Sequence, residues 1–385
     1  MIYSMRWFGE NDLISLSDIR QAGATSVVTA LHHIPVGEVW STGEILKRKK
    51  QIEEAGLSWL VVESLPVHED IKKRKGGFQV YIENYRQSMK NLAACGIEVI
   101  TYNFMPALDW VRTDLNYETK TGSRALRFVW DAYVSFDLFI LQRPGAEKDY
   151  TEEQIAAAKK YFEGLSEAEV EKLKSSCLLG LPGTTGMFTR HEVLKLLNEY
   201  DHISEQQLQQ NLFEFLKQII PAADELNLKL AIHPDDPPFP VFGLPRILST
   251  EKHIEDLVRN ISSKNAGICF CTGSLGVREE NDLLKILSKY SDRVHFLHLR
   301  SVQREGDGNF HEANHLEGNA GLVSVISAVS KIQQQQQRQI PMRPDHGLMI
   351  TAIDKAMYPG YSYIGRLKAL AEIRGVEEAF LSTRL

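Results

Sequence analysis

The chain is poor in cysteine, carries no excess of positive charge and has no long apolar run. Its 385 residues include four cysteines, Cys95, Cys177, Cys269 and Cys271, too few for a disulfide framework. Cys269 and Cys271 stand two apart on one expected strand and so face the same side, a spacing at which they do not bridge each other. Reduced thiols are therefore expected, which suits a cytoplasmic location. The net charge of −6 gives no support for a nucleic-acid partner. No apolar stretch approaches the ~18 residues of a membrane span, so no membrane contact is expected. The start, MIYSMRWFGENDL, lacks a basic segment followed by an apolar one, so no signal peptide is expected. No glycine-rich phosphate loop follows the first expected strand, which weighs against a doubly wound nucleotide-binding sheet.

What is present is ordinary globular material, 43% hydrophobic and 24% charged, arranged in alternating units. Near-continuous apolar runs at 5–9, 24–32, 57–64, 97–104, 228–234, 266–273, 293–300 and 341–346 read as strands covered on both faces. Amphipathic helical stretches separate them, several ending at a glycine such as Gly56 or Gly96. Eight such units predict a single α/β domain over 1–385, a (β/α)₈ TIM barrel. Residues 112–200 interrupt it after the fourth strand. That stretch is too long for a bare loop, and it contains two capping-box signals, Thr151 to Gln154 and Ser166 to Glu169. A helical insertion is expected there, either a lid that excludes water or a subunit contact. A homodimer is expected.

Four residues at successive strand ends carry the chemistry. His233, Cys271, His298 and Asp345 are spaced by 38, 27 and 47 residues, about the length of a strand-helix unit of ~30 or more residues. In a parallel barrel, functional groups gather at the C-terminal ends of the strands. Two imidazoles, a thiolate and a carboxylate suit a divalent ion. Zinc accepts the set, and so do manganese and iron(II). Any one of the four read alone is a core residue; together they predict a metal site. His295, three residues before His298, points to the other face and reads as structural.

Further polar groups surround that set. His32 and His33 end the second strand, Glu63 and Ser64 the third and Asn103 the fourth. Arg300 and Arg343 share the faces of His298 and Asp345. Two such arginines suggest an anionic substrate, since guanidinium binds carboxylate bidentately; the competing reading is an ion pair with a strand-end carboxylate. The segment NFHEANHLEG (309–318) offers Asn309 and His311 as hydrogen-bonding groups for a polyhydroxylated ligand, or is a solvated loop. Tyr358, Tyr361 and Tyr363 lie around the turn Pro359-Gly360, and one of them could reach the site.

These segments resemble the D-mannonate dehydratase family. MRWFG, ESLPVHEDIK (63–72), AIHPDDPP (231–238), HLRS (298–301), FHEANHLEG, RPDHG (343–347) and PGYSYIGRLKALAEIRG (359–375) carry the resemblance, nearly end to end. It implies a xylose-isomerase-like barrel, Mn²⁺ or Fe²⁺ as cofactor, and dehydration of D-mannonate to 2-keto-3-deoxy-D-gluconate in hexuronate (glucuronate) catabolism. It implies metal ligands at His233, Cys271, His298 and Asp345. It implies catalysis by His346 and a tyrosine of PGYSY, with Tyr361 chosen over Tyr363; which of the two is base and which is acid stays open. Arg300 is expected to assist catalysis, and His32, Arg343, Asn309 and His311 to bind substrate. A sugar isomerase on the same barrel, a barrel phosphodiesterase and a non-catalytic sugar-acid binding protein are the alternatives.

Overall fold

The structure, a computed structural model, describes residues 1–108, 110–179, 188–351, 354 and 357–382. Twelve strands are found among them: β1 (Ile2–Arg6), β2 (Ser26–Thr29), β3 (Ser58–Val62), β4 (Val99–Tyr102), β5 (Asp114–Glu118), β6 (Arg124–Phe128), β7 (Lys229–Ile232), β8 (Ala266–Cys271), β9 (Val294–Leu299), β10 (Ser301–Gly306), β11 (Asn309–Ala313) and β12 (Pro341–Pro344). Eight of them close a parallel barrel in the order β1-β12-β9-β8-β7-β4-β3-β2. The expected barrel strands are these eight. The first lies three residues earlier than its sequence signal, because Trp7 and Phe8, though strand-forming in character, belong to the loop that follows β1. There Arg48 and Arg6 lie over their rings, at 4.9 Å in each case.

The barrel interior is a thin plug of Val28, Val61, Val99, Ala231, Cys269 and Phe296, fully or almost fully buried. A larger core fills the space between strands and surrounding helices. Cys269 thus packs in the plug, whereas Cys271 stands one layer above it. Register completes the placement: Cys271 pairs with His298 on β9, and His298 with Arg343 on β12. No helix among the described residues is long and apolar enough to cross a membrane.

The four remaining strands form an antiparallel sheet, β10-β11-β6-β5, which the sequence reading missed. The stretch 112–200 is therefore not helical throughout: it opens with the hairpin β5-β6 and then supplies helices Glu152–Glu163 and Glu167–Cys177, both started by the expected capping boxes. DLNYE and SVQREG are polar, so as strands they read like loops; only one face of such a sheet needs to be apolar. The helix Glu205–Glu225 runs through Pro221 without ending there.

His295 is structural, as its face implied. It is buried, and its Nε2 lies 2.8 Å from the Lys264 carbonyl. Burial lowers its pKa to about 3, only partly opposed by that hydrogen bond. A depressed imidazole contributes stability that is complete above its unfolded value near ~6.5 and is lost as pH falls toward the folded value. Urea unfolding of wild type and His295→Gln at pH 7 and pH 4.5 should show the stability gap between them shrinking at the lower pH; an unchanged gap would contradict this.

Candidate metal centre and surrounding polar network

His233 follows β7, Cys271 ends β8, His298 lies near the end of β9 and Asp345 follows β12, so four strands each bring one ligand to the barrel mouth. Their donor atoms all lie within 4.8 Å of one another. The His233 tautomer follows from its neighbour. His233 Nδ1 is 2.6 Å from the Pro234 carbonyl and must donate to it, which leaves Nε2 as a lone pair. His298 Nε2 is buried, 3.4 Å from Glu63 Oε1, but makes no hydrogen bond to it, so its ring is not fixed from that side and Nδ1 can carry the hydrogen toward His233 or a lone pair. His233 Nε2 and His298 Nδ1 face each other at 3.0 Å. A hydrogen on His298 Nδ1 can bridge the pair, and a divalent ion would bind both nitrogens by displacing it; imidazole ligands of metals are oriented by acceptors behind them, as the Pro234 carbonyl orients His233.

The other two ligands are prepared similarly. Cys271 Sγ accepts from the Ser274 amide at 3.4 Å and the Ser274 hydroxyl at 3.3 Å and lies 3.8 Å from Asp345 Oδ2. Asp345 is buried. Burial alone would raise its pKa, but His346, Arg343, His298 and Arg300 outweigh it and hold the carboxyl well below the usual range. Three of the four are buried and His233 is partly so, their donors converge, and Asp345 is anionic, so the residues present fit a divalent ion.

Both arginines that share faces with the ligands are committed to acids. Arg343 grips Glu63 bidentately at 2.8 and 2.6 Å, and its Nη1 reaches Asp345 Oδ1 at 2.8 Å and the Asp345 carbonyl at 3.0 Å. All three of its nitrogens are engaged, so the expected substrate-binding role does not fit Arg343; it orients Glu63 and Asp345 instead. Glu63 is likewise held far below the usual carboxylate range: burial opposes this, and Arg343 and Arg6 prevail. Arg300 pairs through Nη1 with Asp236 Oδ2 and Asp345 Oδ2, both at 2.9 Å. Its Nη2 is buried with no hydrogen-bond partner, so one donor stays available to a ligand.

His346 and Tyr361 meet at the rim, ring centroids 5.5 Å apart and nearly perpendicular. His346 Nδ1 lies 3.1 Å from Glu312 Oε1. Burial pushes the Tyr361 phenol up, with Arg343 partly offsetting it, so this tyrosine keeps its proton near neutral pH. Its loop is pressed against the exit of β12: Gly347 bridges to Tyr361, and a Cβ on Gly365 would sit 2.3 Å from the Leu348 carbonyl. Tyr363 is elsewhere, donating to the Asp18 carbonyl at 2.8 Å. His32 packs near Phe8, itself in edge contact with Tyr361. Both His32 ring nitrogens are buried without a partner, and burial, then Arg6, lowers its pKa to about 3.

Asn309 and His311 are not at the site. Strand β11 alternates, with Phe310 and Glu312 buried and Asn309, His311 and Ala313 turned outward. Asn309 accepts from the Trp130 amide at 2.6 Å, and His311 pairs with Glu305 at 2.7 Å. The residue delivered inward is Glu312, and with it comes a network the sequence reading missed: Arg112 lies 2.8 Å from Asp236 and 3.3 Å from Glu312. A period-two reading of NFHEA would have selected Glu312 over His311.

Known proteins are similar to this chain in sequence and fold. The family model of D-mannonate dehydratase (UxuA) matches residues 1–384. A mannonate dehydratase of Marinomonas sp. is 49% identical over 390 residues, covering all of both chains. One from Saccharophagus degradans is 45% identical, covering 97% of this chain and 96% of its own. The crystal structure of mannonate dehydratase from Streptococcus suis serotype 2 superposes with a TM-score of 0.80 at 32% identity, over 100% of this chain and 94% of that one. A xylose isomerase domain protein from Planctomyces limnophilus, at 9% identity, TM-score 0.51 and 99% coverage of both chains, shares the fold alone.

The two cysteines of β8 give a direct check on the site. Cys271→Ala is expected to lose bound ion on dialysis, whereas Cys269→Ala, in the plug below, retains it. Metal analysis of the dialysed proteins reads the difference, and equal loss from both would remove Cys271 from the ligand set.

Proposed function

The chain belongs to the D-mannonate dehydratase family, a family of metal-dependent hydro-lyases, and we propose that it converts D-mannonate to 2-keto-3-deoxy-D-gluconate and water in hexuronate catabolism. The observation that supports this most is the convergence of two facing imidazole nitrogens with Cys271 and Asp345 at the barrel mouth, with a histidine and a protonated tyrosine on its rim. The reaction removes the proton on C2, next to a carboxylate, and expels the hydroxyl on C3. Mn²⁺ or Fe²⁺ held by His233, Cys271, His298 and Asp345 would supply Lewis acidity toward the oxygens at the carboxylate end of the substrate.

The protein's own groups divide the remaining work. Arg300 Nη2 is a buried, unspent donor for the substrate carboxylate. His32, held neutral, offers one donor and one acceptor to a sugar hydroxyl. His346 takes the C2 proton, because its Nδ1 faces Glu312 and its Nε2 is left for proton exchange. Tyr361, which burial keeps protonated, gives its proton to the departing hydroxyl, and water leaves. The enol so formed becomes the 2-keto product by tautomerisation.

The test is product formation from D-mannonate by the purified enzyme with Mn²⁺ and, separately, with EDTA. The 2-keto-3-deoxy acid should accumulate only with metal. Tyr361→Phe should bind the ion normally yet lose on the order of 10²–10⁴-fold in kcat, the usual contribution of a positioned proton-transfer group. Stoichiometric metal without product would leave barrel and site standing and overturn the dehydration.

A further inference from the structure

The antiparallel sheet outside the barrel reaches the site through one residue. Strand β11 is paired on both sides, Glu312 opposite Val302 of β10 and Phe310 opposite Phe128 of β6. Its alternation turns Glu312 inward to 2% exposure. There Oε1 lies 3.1 Å from His346 Nδ1 and accepts from Arg112 Nη2 at 3.3 Å, while Oε2 lies 3.1 Å from Arg300 Nε.

We propose that Glu312 is a positioning residue for the dehydration: it fixes the His346 imidazole with its proton on Nδ1, so that Nε2 is the atom that exchanges a proton with the sugar acid. The inference rests on the proton-transfer role given to His346 above. An ionised carboxylate only accepts hydrogen bonds, so a histidine nitrogen 3.1 Å away must carry the hydrogen. Burial would favour the protonated acid, but Arg300, then His346 and Arg112, keep Glu312 ionised. The Tyr361 ring, nearly perpendicular to the imidazole, limits rotation from the other side. A base held by a third group is the general arrangement for an activated histidine. The added sheet thereby becomes part of the active site, although its strands supply none of the four metal ligands.

The competing role for Glu312 is to neutralise Arg112 and Arg300, both fully buried. A double-mutant cycle separates the two, because residues acting as one unit are non-additive. Glu312→Gln and Glu312→Leu are made alone and with His346→Gln, and kcat and KM for D-mannonate are measured with Mn²⁺. Metal content and Tm are measured on each protein; Glu312→Gln preserves the volume if the leucine variant folds poorly. Glu312→Gln should lower kcat on the order of 10²-fold, leave KM within a few-fold, keep the ion, and cost nothing further once His346 is replaced. Losses that multiply in the His346→Gln background, or normal kcat in Glu312→Gln, overturn the proposal while His346 keeps its role. Normal kcat in His346→Gln overturns both.

Discussion

Two imidazole nitrogens facing each other across 3.0 Å set the terms for everything around them. The Pro234 carbonyl stands behind the His233 ring and holds its N–H outward, and Glu63 lies 3.4 Å behind His298 Nε2. Such a pair suits a cation, and a cation in a buried pocket asks for anions; Asp345 supplies one, and Cys271 would supply another as a metal-bound thiolate. Those anions, with Glu63, Asp236 and Glu312, would be untenable in a barrel mouth on their own. Arg343, Arg300, Arg112 and Arg6 balance them, and the first three of these are at most 1% exposed. Removing one partner from such a buried pair costs about 3–5 kcal/mol, which makes the network rigid as well as charged. Rigidity is what a metal site needs, since ligand geometry then precedes the ion.

The barrel and the added sheet divide the labour. Parallel register lines up Cys271, His298 and Arg343 on three neighbouring strands, so the ligand side of the site follows from the barrel alone. The proton-transfer side is assembled from loops and from the sheet. Tyr361 arrives on a loop packed through Gly347 and Gly365 against the exit of β12, and Glu312 arrives on β11. The hydrophobic plug of Val28, Val61, Val99, Ala231, Cys269 and Phe296 floors both sides, and Phe296 touches the His298 ring edge-on at 5.0 Å.

Much of this was legible in the sequence for a simple reason: a barrel repeats. Once apolar runs recur at regular spacing, a polar residue at the end of each run is also at one end of the barrel, and His233, Cys271, His298 and Asp345 follow. Partnerships across the chain were not legible. Arg343 and Glu63 are 280 residues apart, and Arg112 and Glu312 are 200 apart, so nothing local announces that Arg343 is fully committed to acids while Arg300 keeps a donor. The added sheet was hidden by its polar strands, and that error carried over to the site: with β11 read as a loop, Asn309 and His311 looked as available as Glu312. The choice of Tyr361 over Tyr363 came from family resemblance; the bond from Tyr363 to the Asp18 carbonyl gives it a structural cause.

The most direct test of the account is where the ion binds. Crystals grown with Mn²⁺ and measured on either side of the manganese absorption edge give its position without reference to any assumed chemistry. One anomalous peak is predicted, bounded by His233 Nε2, His298 Nδ1, Cys271 Sγ and a carboxylate oxygen of Asp345. A peak elsewhere, or His233 and His298 turned so that their other nitrogens face each other, would contradict it.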